Sequence, residues 1–94
     1  MHDLGTLPGG GESLPYRINS HGVVVGYSLT ADGRFRAVMW TSGQITNLNR
    51  FLPRPAKAAG VVLTIAYGIN DKGQIAGIAT AHGHAHGFLL TPAR

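Results

Sequence analysis

Two eleven-residue segments of this chain carry the same layout, and that repetition limits the folds open to it more than any other feature. Tyr16-Arg17-Ile18-Asn19-Ser20-His21-Gly22-Val23-Val24-Val25-Gly26 returns 51 residues later as Tyr67-Gly68-Ile69-Asn70-Asp71-Lys72-Gly73-Gln74-Ile75-Ala76-Gly77. In each, Ile-Asn precedes two polar residues, a glycine, a short and mainly apolar run and a second glycine. An Asn side chain can bond its own backbone two residues on, and a glycine can take the left-handed conformation that closes a hairpin. Asn19 with Gly22, and Asn70 with Gly73, are therefore expected to be structural turn residues. A chain built on such a repeat is an array of supersecondary units that bury their faces only against neighbours.

The repeat phase organises the remaining strands. The first copy predicts strands at Tyr16 to Asn19, Val23 to Leu29, Phe35 to Trp40 and Gln44 to Leu48, with turns at Thr30-Ala31-Asp32-Gly33-Arg34 and Thr41-Ser42-Gly43. The second predicts them at Val61 to Asn70, as one strand or a pair of short ones, and at Gln74 to Ala79 and Gly87 to Thr91. Between the copies, Asn49 to Ala59 holds Pro53 and Pro55 and reads as a loop without a regular element, so the inter-repeat connection is placed at 49–60. Val38-Met39-Trp40 matches Phe88-Leu89-Leu90 at a spacing of 50, one residue being lost in a hairpin. Asn47-Leu48 matches Asp3-Leu4. The second copy stops after three strands, and Met1 to Leu7 is the segment expected to complete it, within one chain or between two.

The expected fold is thus all-β. One domain, 1–94, holds two repeats of about four short antiparallel strands, propeller-blade-like or sandwich-like, at 16–48 and at 67–91 completed by 1–7. Val23-Val24-Val25 and Ala37-Val38-Met39-Trp40 are apolar on both faces, so their sheet must be covered on both sides. Gly26 and Gly77, in matching mid-strand positions, predict the close approach of a neighbouring backbone or ring. At 94 residues the chain is near the lower end of what is stable alone, which favours a homo-oligomer formed by strand exchange or blade packing.

Composition narrows the partners. Eight Lys+Arg against four Asp+Glu make the chain basic, but Arg17, Arg34, Arg36, Arg50, Arg54, Lys57, Lys72 and Arg94 are scattered along it, which argues against nucleic-acid binding. The charge leaves a polysaccharide or anionic surface as an alternative ligand. Absence of cysteine rules out disulfides and thiolate metal sites. The longest apolar run, Ala58 to Ala66, is nine residues and cannot span a bilayer. His2 and Asp3 follow Met1 without a basic region or an apolar stretch, so no signal peptide is expected in this chain. Pro8-Gly9-Gly10-Gly11 lacks the Gly-Lys-Ser/Thr of a phosphate-binding loop and reads as a surface loop.

Candidate chemistry is sparse. His82, His84 and His86 alternate, which on a strand places three imidazoles on one face as a candidate Zn²⁺ or Cu²⁺ site. The alternative is an ordinary hairpin loop made loose by its glycines. A small metal-dependent or hydrolytic enzyme would have to use this cluster, for no nucleophile elbow or carboxylate pair marks any other centre. No cofactor-binding motif is present. Among the aromatic residues, Trp40, at a strand end, is the candidate ligand contact, with core packing as its ordinary use.

Asp3-Leu4-Gly5-Thr6-Leu7, Ala66-Tyr67-Gly68-Ile69-Asn70 with Gly73 and Gly77, and His86-Gly87-Phe88 together resemble the HAF repeat family of bacteria. The first copy departs from the pattern, with Arg36-Ala37-Val38 where that family has His-Ala-Phe and Tyr16-Arg17 where it has Tyr-Gly. The resemblance implies an all-β repeat protein, extracellular or periplasmic, without an assigned biochemical role. The function expected is a non-enzymatic module for self-assembly and for binding or scaffolding.

Overall fold

The computed structural model describes residues 11–91, and within them the chain is two antiparallel sheets. The first contains β1 (Ser13–Ile18), β2 (Val24–Leu29), β3 (Phe35–Thr41) and β4 (Gln44–Asn47), paired in chain order. The second contains β5 (Val62–Ile69), β6 (Ile75–Ala81) and β7 (His84–Leu90), also in chain order. The seven strands expected between residues 16 and 91 are present. Met1 to Leu7 lies outside the described residues; among those described, β7 has a partner on one edge only, where β3 has partners on both.

The turns have the chemistry that the repeat requires. Asn19 Oδ1 accepts from the backbone N–H of His21 and of Val23, both at 3.0 Å, and Asn70 Oδ1 accepts from Lys72 and Gln74 at the same distance. Gly22 and Gly73 follow at φ 81° and 82°. Asn70 and Gln74 also close a backbone bond of 3.1 Å, as Asn19 and Val23 do at 3.0 Å.

The first strand of each sheet carries a bulge opposite the mid-strand glycine of the second. The β1–β2 register slips between Pro15 and Arg17, and Gly26 faces Pro15. The β5–β6 register slips between Ala66 and Gly68, and Gly77 faces Ala66. A Cβ added to Gly26 would overlap the carbonyl oxygen of Leu14 and lie 2.8 Å from Pro15 Cα. One added to Gly77 would overlap the carbonyl oxygen of Ile65 and lie 2.7 Å from Phe88 Cε2. Close approach of a neighbouring backbone, expected from the sequence, is what both glycines accommodate, and Gly77 admits the Phe88 ring as well.

The connection between the sheets departs from the expected loop. Leu48–Phe51 forms a 3-10 turn capped by Asn47, whose Oδ1 accepts from Asn49 N, and Arg54–Ala58 forms a short helix, α1. Pro55 is tolerated there because it falls in the first turn, where a missing N–H breaks no helical bond. Leu48 is fully buried, with Phe51 and Leu52 packed beside it, so this connection supplies part of the core.

That core lies between the sheets. Val25 and Ala37 of the first sheet meet Leu63, Ala66, Ile75 and Ala79 of the second, with Met39, Ile69, Phe88 and Leu90 around them. Burying each of the larger aliphatic side chains contributes roughly 1.5–3 kcal/mol. On its opposite face the first sheet carries a second cluster, Val38 and Trp40 with Val24 and Ile45. Both faces of β2 and β3 are therefore buried, as their continuous apolar runs require.

Gly77→Ala is expected to lower stability by about 3 kcal/mol in urea denaturation, because the overlap is with backbone that cannot yield. Gly68→Ala, one strand over in open space, should be close to neutral. Equal losses at the two positions would contradict the close-approach account.

Candidate functional site at the seam between the two units

The two units meet through residues that match each other in the repeat. Asn19 Nδ2 donates to the carbonyl oxygen of Asn70 at 3.1 Å, and Ser20 N donates to Asp71 Oδ1 at 2.9 Å. The Tyr16 and Tyr67 rings lie 5.5 Å apart. Each of these pairs is 51 residues apart, so corresponding points of the two units touch. Hydrogen bonds from Ser20 hold the Asp71 carboxyl below the usual carboxylate range, helped by His21.

Head-to-tail packing uses different faces of the two units. The first unit presents Val25, Ala37 and Met39; the second presents Ile75, Ala79, Phe88 and Leu90. In the repeat, Ile75, Phe88 and Leu90 correspond to Val24, Val38 and Trp40, which are the far face of the first unit. Conversely, the face of the second unit that corresponds to Val25, Ala37 and Met39 is Ala76, Gly87 and Leu89. All three are exposed, Leu89 at 70%. Tyr67, at the inner end of this unit, is 45% exposed.

Beside the seam, β3, the 3-10 turn and α1 border an open pocket of about 470 Å³ lined by the cations Arg36, Arg50 and Lys57, by Asn47 and Asn49, and by Leu52, Gly60, Val61 and Val62. Asn49 ties its floor to β5: Nδ2 donates to Leu63 O at 2.9 Å and Oδ1 accepts from Leu63 N at 2.7 Å. None of the carboxylates among the described residues lines it. The cations were scattered in sequence, and only the folding of β3 against the inter-sheet connection brings these three together.

The histidines are brought together in part. His82, at φ 53°, and Gly83, at φ 79°, make a two-residue turn, so β6 and β7 extend to Ala81 and His84 and the segment is not a loose loop. His84 and His86 share one face of β7, opposite Ala81 and Ala79, whereas His82 occupies the turn. All three are exposed, and no group of three His, Cys, Asp or Glu able to hold a metal occurs among the described residues. Trp40 is 3% exposed and packs with Val38, Val24 and Ile45. Its ring serves packing, the ordinary use expected of it. No helix among the described residues is long and apolar enough to cross a membrane. Comparison with protein-family models, curated proteins and solved structures finds no match to this chain.

Because the native carboxyl of Asp71 titrates below its ordinary value of 3.8, its contacts stabilise the fold fully above that value and lose their effect as pH falls through the native one. Asp71→Ala should lower the melting temperature at neutral pH, with the gap to the parent chain narrowing below pH 3.8. A gap that stays constant on acidification would remove the carboxylate from the account.

Proposed function

We propose that this chain is a non-enzymatic β-repeat module that assembles with a second copy of itself and serves as a scaffold. The observation that carries the reading is the exposed face of the second unit, Ala76, Gly87 and Leu89, whose counterpart in the first unit lies against a neighbouring sheet. A repeat face of this kind is stable when a further sheet covers it. Within one chain the complementary face of the second unit is already in use, and that of the first is buried at Val38 and Trp40. The face open on each copy is therefore the same one, which favours a closed two-fold pair over a filament. Strand addition at the edge of β7 that has no partner among the described residues is the other route, and Met1 to Leu7 is the segment expected from the sequence to complete that sheet. The resemblance to bacterial HAF repeats belongs to this reading, and with it an extracellular or periplasmic setting.

Light scattering coupled to size exclusion, at about 50 μM chain, should give twice the chain mass. Leu89→Glu should return the monomer with its fold intact, since an exposed substitution changes folding stability by only about 0.5 kcal/mol. If strands rather than faces join the copies, Leu89→Glu leaves the mass unchanged and removal of Met1 to Leu7 produces the monomer. A monomeric parent chain at that concentration would overturn the proposal.

A further inference from the structure

The cavity beside the seam has a charge pattern that packing does not explain. Arg36 comes from β3, Arg50 from the 3-10 turn and Lys57 from α1, and among the described residues no carboxylate lines the space they share. Like charges that line one pocket repel one another, and an anion among them relieves that repulsion. The nearest candidate for internal neutralisation, Asp32, is paired with Arg34 at 3.3 Å on the surface. It is influenced by Arg36 but does not line the cavity.

Two of the three cations, Arg36 and Arg50, are also positioned. Arg36 is half-buried, and its Nη1 donates to Phe35 O at 2.7 Å, which anchors one end of a guanidinium that has five N–H donors in all. The Arg50 guanidinium carbon sits 5.8 Å from the centroid of the Phe51 ring, so that ring backs its planar group. Asn49, bonded in both directions to the backbone of Leu63, holds the turn that carries Arg50 against β5. Two guanidinium forks and an ammonium suit a tetrahedral oxyanion, which accepts paired N–H bonds from each fork. The volume, about 470 Å³, exceeds the needs of a bare ion and lies in the range of small-molecule sites.

We propose that this cavity binds a small molecule bearing a phosphate or sulfate ester, with Arg36 and Arg50 gripping the oxyanion and Lys57 adding charge. The site is independent of self-association, since none of its residues lies on the face of Ala76, Gly87 and Leu89.

Isothermal titration of the full chain, and of the Leu89→Glu chain, with glucose 6-phosphate, glucose 6-sulfate, inorganic phosphate and glucose tests this. Saturable binding of at least one ester, tighter than inorganic phosphate and absent for glucose, is expected; the two esters distinguish the phosphate source from the sulfate source. Arg36→Gln and Arg50→Gln should each weaken binding by about tenfold or more, and Lys57→Gln by less. Arg17→Gln, on the edge strand β1, should leave it unchanged. Affinity should fall as salt is raised. Circular dichroism establishes that each variant is folded, and should Arg36→Gln fail to fold, Arg50→Gln alone decides. Absence of saturable binding by every anion, or binding indifferent to the Arg50 substitution, would overturn the proposal.

Discussion

The packing of β5 across β1, β2 and β3 is the contact on which the rest of the structure depends. The two sheets share one core in which Val25 and Ala37 meet Leu63, Ala66, Ile75 and Ala79. Such close packing needs backbones free to bulge and to approach. Gly26 and Gly77 meet that need, each facing a register slip in the strand before it. The polar contacts between Asn19 and Asn70, and between Ser20 and Asp71, then set the phase in which the sheets meet. Hydrophobic burial provides most of the energy, and these directional bonds select one arrangement from those that burial alone would allow.

A head-to-tail relation has consequences that a two-fold one would not. Each unit offers two unlike faces, so two units joined in this way bury one of each and leave one of each at the ends. In this chain the ends differ: the first unit's outer face is buried around Val38 and Trp40, whereas the second unit's holds exposed Leu89. The scaffold reading grows from that inequality, and the basic cavity grows from the connection that joins the units.

Much of this was legible in the residues. The strands and their turns could be read because Asn, Gly and β-branched residues act locally, through hydrogen bonds and backbone angles a few positions apart. The glycine close approach was legible because a mid-strand glycine has few other reasons to recur. The connection was misread because its five-residue helix is too short to show periodicity and its prolines resemble those of a loop. The burial of Trp40 depends on what covers the far face of its sheet, and nothing in its own neighbours in sequence reports that. His82 looked like part of a three-histidine row until its positive φ placed it in the turn, leaving His84 and His86 on the strand.

The sequence by itself determined the repeat, its phase of 51 residues, the strand order within each sheet and the glycines at the bulges, because these rest on short-range stereochemistry. Only the tertiary structure decided which face of each unit is buried and that Arg36, Arg50 and Lys57 share one cavity. An alternating or doubly apolar strand does not specify its partner, and charges scattered along a chain have no common field until the backbone brings them within reach of one another.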